Sequence, residues 1–362
     1  MAHPTQTAPL EPGTGPVRGA YVPAAVGDVL WGRLPCAADA PVLEVEPGDE
    51  VTFDTISHEG ILEDQGRDPR AFFAPYDVPV LSDAVALAAA DVPRTFGVDG
   101  PHVVSRPVAV AGARVGDLLA VTILEALPRV PYGVISNRHG KGALPGEFPL
   151  GGADVVSTFA RVSADGAHGL LPLTEGAEPT VSFPLAPFLG IIGVAVAGDQ
   201  RPHSVPPGAH GGNLDIALLT PGATLYLPVQ ADGALAYVGD PHFAQGNGEV
   251  ALTAMEASLR ATVRLDVIAR EDAVAAFGEL AGPLAETGDF LVPTGLDPDL
   301  DVAVQDCVRA AVALLQARFG MDPHLALAYL SAATDFEISQ VVDVVKGVHA
   351  RIRKADFADA AR

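Results

Sequence analysis

The stretch TLYLPVQADGALAYVGD, residues 224–240, decides how this chain is read. Two apolar-rich segments flank Asp232-Gly233, a dipeptide in which both residues tolerate positive φ. The pattern predicts two strands joined as a hairpin. Outward from it, the same signature recurs. In SLRATVRLDVI (258–268), Leu259, Ala261, Val263, Leu265 and Val267 share one face, while Arg260, Thr262, Arg264 and Asp266 share the other. That alternation is the mark of half-buried antiparallel sheet. HVVSRPVAVAGARVGDLLAVTILEAL (102–127) reads as a strand, a Gly/Ala turn and a second strand at Leu118–Leu124. The 38 Gly and 32 Pro are dispersed, as many short strands joined by turns require.

Helical spacing gathers near the end. LDVAVQDCVRAAVALLQARFGM (300–321) places Val304, Cys307, Val308, Ala311, Leu314 and Leu315 on one stripe, and Gly320 is positioned to stop it. Asp322 and Pro323 then start a second helix as N-cap and first residue. FEISQVVDVV (336–345) follows as a strand. The fold class expected is α+β: mainly antiparallel β, barrel- or sandwich-like, with a smaller C-terminal β-α-α-β region. Residues 1–20, rich in Pro, Gly and Thr, are expected to be a flexible segment. Residues 21–255 would form the β-rich domain carrying most of the site, and 256–362 the α+β region. The boundary falls within 250–270, where strands are free to cross it.

The chain of 362 residues carries a net charge of −23 at pH 7. Such a surface repels phosphate backbones and anionic lipid, which argues against nucleic-acid and membrane partners. No apolar run approaches the roughly 18–20 residues that span a bilayer. The first residues, MAHPTQTAPLEPGTGP, lack a basic segment followed by an apolar core, so no signal peptide is read there. Two cysteines far apart, Cys36 and Cys307, suit a reducing cytoplasm better than a disulfide framework. Cys307 sits on a predicted apolar helix face and Cys36 lacks a partner motif, so neither reads as a nucleophile.

Chemistry concentrates in residues 210–249. Asn213 and Asp215 are two apart, and so are Asp240 and His242; on extended chain each pair points to one face. Gln245 and Asn247 follow among glycines, and Glu249 opens the next segment. Carboxylate and imidazole groups converging there suit a divalent metal: zinc with His and carboxylate ligands, or calcium or magnesium where oxygen dominates. A polar turn whose Asp, Asn and Gln side chains only hold the loop in shape accounts for the same residue types. His58 (in DTISHEG) and His102 (in GPHVVS) lie where substrate or metal contacts can arise, but read first as ordinary surface or core histidines. SNRHGKG (136–142), with His139, reads first as a solvated loop, with a mobile lid or a carboxylate contact as alternatives. No G-x-S-x-G elbow or S-x-x-K supports serine catalysis.

GGNLDIALLTPGATLYLPVQADGALAYVGDPHFAQGNGEV (211–250) resembles the acetamidase/formamidase family. The motifs that carry the likeness are GGNLD, LTPGATLYLPV and GALAYVGDPHFAQGNGE. RPVAVAGARVGDLLAVTILE (106–125), PFLGIIGVA (187–195), TGLDPDLDVAVQDCVRAAVALL (294–315) and ISQVVD (338–343) extend it over most of residues 100–345. Residues 51–100 and 133–146 depart from the family's common pattern and are expected to shape the substrate pocket.

The resemblance implies hydrolysis of short-chain amides, formamide- or acetamide-like, to carboxylate and ammonia. It implies a divalent metal as cofactor, zinc first and a zinc and calcium pair as the alternative. His242 and Asp240 are then the expected ligands, with Asn213 and Asp215 as further ligands or as groups that orient the imidazole. Glu249 is the expected general base, with Asp240 able to exchange roles with it. Gln245, His210 and His139 are the expected substrate contacts. A homo-oligomer, a dimer first, follows from the family and from strand edges that need cover. Two further functions stay open: hydrolysis of a larger or cyclic amide, and a non-catalytic metal-stabilised ligand-binding protein.

Overall fold

Thr224–Pro228 and Ala236–Ala244 are both strands, but they do not pair with each other. In the computed structural model, which describes residues 8–360, they belong to different sheets. Thr224–Pro228 lies antiparallel between Leu118–Pro128 and Leu284–Glu286. Ala236–Ala244 pairs with Phe188–Val194 across the molecule. The expected hairpin is therefore a crossover. Three consecutive residues with positive φ, Gly233 (79°), Ala234 (57°) and Leu235 (55°), swing the chain from one sheet to the other. Backbone bonds to Ala113 and Ala195 hold the crossing. Alternation and a turn dipeptide are common to both outcomes. What separates them is burial: Ala236–Phe243 is buried on both faces, which half a surface hairpin would not be.

The resulting architecture is mainly antiparallel β, as expected. One sheet has nine strands, from Ala20–Val22 at one edge to Asp335–Gln340 at the other. The second has twelve and is branched, with Val29–Trp31, Leu43–Val45, Val103–Ser105 and Val108–Val110 joined to Ala236–Ala244 or to one another. The nine-stranded sheet takes strands from both sides of residue 255. Phe53, Val121, Leu225 and Val263 of the first sheet interlock with Phe188, Ile192, Val194 and Val238 of the second in one buried core. This is the face-to-face packing of a sandwich.

Leu259–Ile268 is a strand whose even face departs from expectation: Arg260 and Thr262 are buried as deeply as their neighbours. Thr262 Oγ1 pairs with Thr52 Oγ1 on the neighbouring strand, and the N-terminal segment covers Arg260. Residues 1–7 of the segment expected to be flexible lie outside the described residues. Beyond them, Leu10 is buried, its N–H donates to the Arg129 carbonyl and its carbonyl accepts from Arg129 Nε, and Arg260 donates to the carbonyls of Glu11, Thr14 and Pro16.

The two C-terminal helices form where their signals lie. Leu300–Phe319 begins at Asp299, whose carboxylate accepts from the N–H of Asp301 and Val302, and ends at Gly320 in the left-handed region. Pro323–Ala333 is capped by Asp322. With Arg270–Phe277, they pack on the nine-stranded sheet through Phe277, Leu314, Leu315 and Leu330. Among the described residues no helix is long and apolar enough to cross a membrane. The predicted strand 336–345 is shorter than expected. It ends at Gln340, whose side chain accepts from the N–H of Val342 and Asp343 and donates to Val345, curling the chain out of the sheet.

Candidate active site

Strand Ala236–Ala244 carries Asp240 and His242 to one face, as the two-residue period requires. His242 Nε2 lies 3.0 Å from Asp240 Oδ2. The neighbouring strand Met255–Glu256 is registered so that Glu256 faces His242, with Oε1 3.0 Å from Nε2. Two more imidazoles reach the same carboxylate. His58 Nδ1 is 3.5 Å, and His102 Nε2 3.8 Å, from Asp240 Oδ1. Three histidines thus surround Asp240, all buried. His58 and His102 belong here and are not the ordinary histidines expected.

Each imidazole is held from behind. Gln245 Oε1 lies 3.1 Å from His242 Nδ1, and Ser204 Oγ 3.0 Å from His102 Nδ1. Glu59 Oε1 stands 3.3 Å from His58 Nε2. Glu59 is itself fixed by Ser136 Oγ (2.5 Å), Arg138 Nη1 (3.1 Å) and Gln65. Such outer partners set ring orientation and tautomer, leaving the inward nitrogen free to bind. Gln245 also donates to the carbonyls of Asp215 (2.7 Å) and Ser339 (3.2 Å), so its amide N–H groups are taken and it positions His242.

A second group adjoins the first. Asp215 and Glu249 each place an oxygen within 4.8 Å of a His242 nitrogen and of one another. Asp343, carried in by the bend after Gln340, faces Asp215. Asn213 lines the cavity beside them. Asp215, Asp240 and Glu249 all have φ between 47° and 50°, and Leu252 and Val344 on the same cavity wall have φ of 114° and 68°. Strained backbone gathers where side chains must be aimed. Gly190 forms the floor: a Cβ there would come within 2.5 Å of Asp215 Oδ1 and 2.6 Å of Asp240 Oδ2.

The electrostatics are those of crowded like charges. Burial, and then the charges of Glu249 and Asp343, push the Asp215 carboxyl well above its ordinary value. Burial and Asp343 do the same to Glu249. Burial raises Asp343 to about 7, against a lowering influence of the neighbouring Asp215 carboxyl. Burial alone would lower His58, but contact with Asp240 and Glu59 and the charge of Glu256 lift it to about 10. His102, desolvated and facing two other imidazoles, falls to about 4 despite Asp240. The cluster opens on a cavity of about 480 Å3.

Of the residues singled out in sequence, Asn213, Asp215, Asp240, His242, Gln245 and Glu249 come together. His139 is exposed on its loop, and only its neighbours line the cavity. His210 packs against Gly208 and Gly212 and is absent from the cavity wall. Glu256, Asp343 and Glu59 were not anticipated. Glu256 carries no motif, and Asp343 sits in an apolar run that reads as strand. Glu59 directly follows His58, and an adjacent His-Glu pair was the one available signal.

The sequence pattern of the acetamidase/formamidase family matches residues 86–201 and 194–352. The formamidase of Methylophilus methylotrophus is 27% identical over 306 residues, 67% of this chain and 74% of that protein. The acetamidase of Mycolicibacterium smegmatis is 29% identical over 199 residues, covering 41% of this chain and about half of that protein (49%). The crystal structure of the acetamidase from Bacillus halodurans shares the fold, with a TM-score of 0.71 and 24% identity over 94% of this chain and 99% of that one. The family pattern and these relatives make the chain an amide hydrolase. The chain belongs to the acetamidase/formamidase family.

Proposed function

We propose that the chain hydrolyses amides to carboxylate and ammonia with a divalent cation held in the carboxylate–imidazole cluster. The observation that carries this is a set of buried polar atoms that crowd together but make no hydrogen bond: His58 Nδ1, His242 Nε2, Asp240 Oδ1, Glu256 Oε2, both Asp215 oxygens, Asp343 Oδ2 and Asn213 Oδ1. Buried polar groups are otherwise almost always satisfied, and an ion is the simplest partner for so many that converge. The residues fit two kinds of site. His58, His102 and His242 around Asp240 and Glu256 form a mixed nitrogen and oxygen set, which suits zinc. Asp215, Asp343 and Asn213 form an oxygen-only set, which suits calcium. When bound, such a cation supplies Lewis-acid polarisation of a carbonyl and acidifies water.

The chain's own groups do the rest. Asp240, at the centre of the imidazoles, is a ligand in this account. Glu249 is the general base: it stands at the edge of the cluster, on the cavity wall. Its carboxylate takes a proton from the attacking water and returns it to the departing nitrogen as the C–N bond breaks. We place the activity in the cytoplasm, consistent with two buried free cysteines, and in a homo-oligomer, a dimer first.

Ammonia release should vanish on chelation and return with zinc. Glu249→Gln should lower kcat by about 10²–10⁴ with metal content unchanged. Full turnover in chelated protein would defeat the metal role. Metal loss in Glu249→Gln would make Glu249 a ligand instead.

A further inference from the structure

We propose that the preferred substrate is a primary amide with a bulky apolar acyl group, such as a medium-chain aliphatic or arylacetic amide. Formamide and acetamide would then be minor substrates. This rests on the amide-hydrolase assignment and adds the substrate class. The size of the cavity and the chemistry of its wall both point to it.

The first is space. Taking the roughly 30 Å3 that one water occupies in the liquid as a guide, the four heavy atoms of acetamide fill about a quarter of the cavity. A pocket of about 480 Å3 is in the range that encloses much larger ligands. The second is the chemistry of the wall beyond the carboxylate–imidazole floor. Phe96, Pro101, Val205, Leu252, Val342 and Val344 supply apolar surface there. Phe96 is 53% exposed and Val344 66% exposed, and Val344 is held in a left-handed backbone that a β-branched residue rarely adopts. Arg94 covers one face of the Phe96 ring at 5.9 Å, and the rest of Phe96, with Val344, stays open toward the cavity.

The charged groups on that wall are mostly spoken for. Arg94 donates to Glu63 at 2.7 Å and stacks over Trp31. Arg138 donates to Asp64 at 2.6 Å, and Asp99 accepts from Arg33 at 2.6 Å. They give the wall shape without calling for charge on the ligand. Much of this wall comes from residues 62–101 and 138–145, largely the two regions whose sequence departs from the family pattern.

The reaction is ordinary hydrolysis. Water oxygen bonds to the carbonyl carbon, the C–N bond breaks, and nitrogen leaves as ammonia with the proton taken from water. The apolar group does not react. It lends binding energy, and in an apolar pocket each methylene is worth about 10-fold or more in kcat/KM.

The test is kcat/KM of metal-replete protein for formamide, acetamide, hexanamide, phenylacetamide and succinamate. Hexanamide and phenylacetamide should exceed acetamide by at least about tenfold. In Phe96→Ala and Val344→Gly the hexanamide-to-acetamide ratio should fall. Equal or faster turnover of formamide or acetamide would overturn the inference and leave the amide-hydrolase assignment intact. Preference for succinamate would also overturn it, in favour of the cavity residues Lys141 and Lys346, the latter donating to the Pro298 carbonyl. Turnover of none of the amides would overturn both.

Discussion

Three residues of chain separate Asp54 from His58, and they join two opposite kinds of buried polar cluster. Around Asp54 nearly every group finds a partner. Arg260 Nε and Nη2 reach its two oxygens at 2.6 and 2.9 Å, and Tyr21 Oη donates at 2.5 Å. Arg129, fully buried, spreads its donors over Leu10 O, Thr55 O and Asp83 Oδ2 at 2.8–3.0 Å. Around Asp240 the reverse holds: inward-facing nitrogens and oxygens crowd one another at 3.0–4.0 Å without forming aligned hydrogen bonds, while their outward sides are tied down. Burial and charge are alike in the two places. Satisfaction separates them, and it distinguishes a device that holds strands together from one built to hold something else.

Breaking the satisfied cluster should have the largest effect on the fold. Asp54→Ala leaves Arg260 buried at the meeting of the N-terminal segment and strand Leu259–Ile268, without its carboxylate. Removing one partner of a buried pair typically costs about 3–5 kcal/mol. Chemical denaturation should show a loss of that size in the presence or absence of metal. A change below about 1 kcal/mol would mean that the cluster does not secure these strands.

The unsatisfied cluster can be disturbed at Gly190, on strand Phe188–Val194. A methyl group there would stand 2.5 Å from Asp215 Oδ1 and 2.8 Å from His242 Cε1, closer than side chains tolerate. Overpacking of this kind costs about 1–3 kcal/mol. Gly190→Ala should therefore lose bound metal, measured by elemental analysis, while its stability falls less than in Asp54→Ala. Full metal occupancy would show that the floor can yield without disturbing the ligands.

The comparison also explains what was legible in the sequence. Asp240 and His242 were visible because both lie on one strand, where a two-residue period settles which side chains share a face. Glu256 was not, because it reaches His242 only through strand register. His58 enters from the end of Asp49–Asp54, and Asp343 from a bend that Gln340 imposes. Such convergence is a property of topology, and local pattern carries none of it. The same limit produced the hairpin expected at Asp232-Gly233. Local signals marked the turn correctly but could not say which sheet the chain would join next. The capped helices at 300–333 were legible because caps and stripes are local.

The smallest effect, and the sharpest contrast, is expected at Asp215. Neither of its carboxylate oxygens has a partner, and burial with Glu249 and Asp343 disfavours its charged form. In chelated protein the charge is thus a burden that an amide of the same shape removes. Asp215→Asn should leave chelated protein as stable as wild type, or more stable by about 1 kcal/mol, as when an active-site strain is relieved. With metal restored the order should reverse, because the carboxylate then has a cation to face and the amide gives up that attraction. Urea unfolding of both proteins, with chelator and with saturating zinc and calcium, measures the crossing. If Asp215→Asn is the less stable protein under chelation as well, the Asp215 carboxylate is structural after all, and the division between the two clusters must be redrawn with it on the other side.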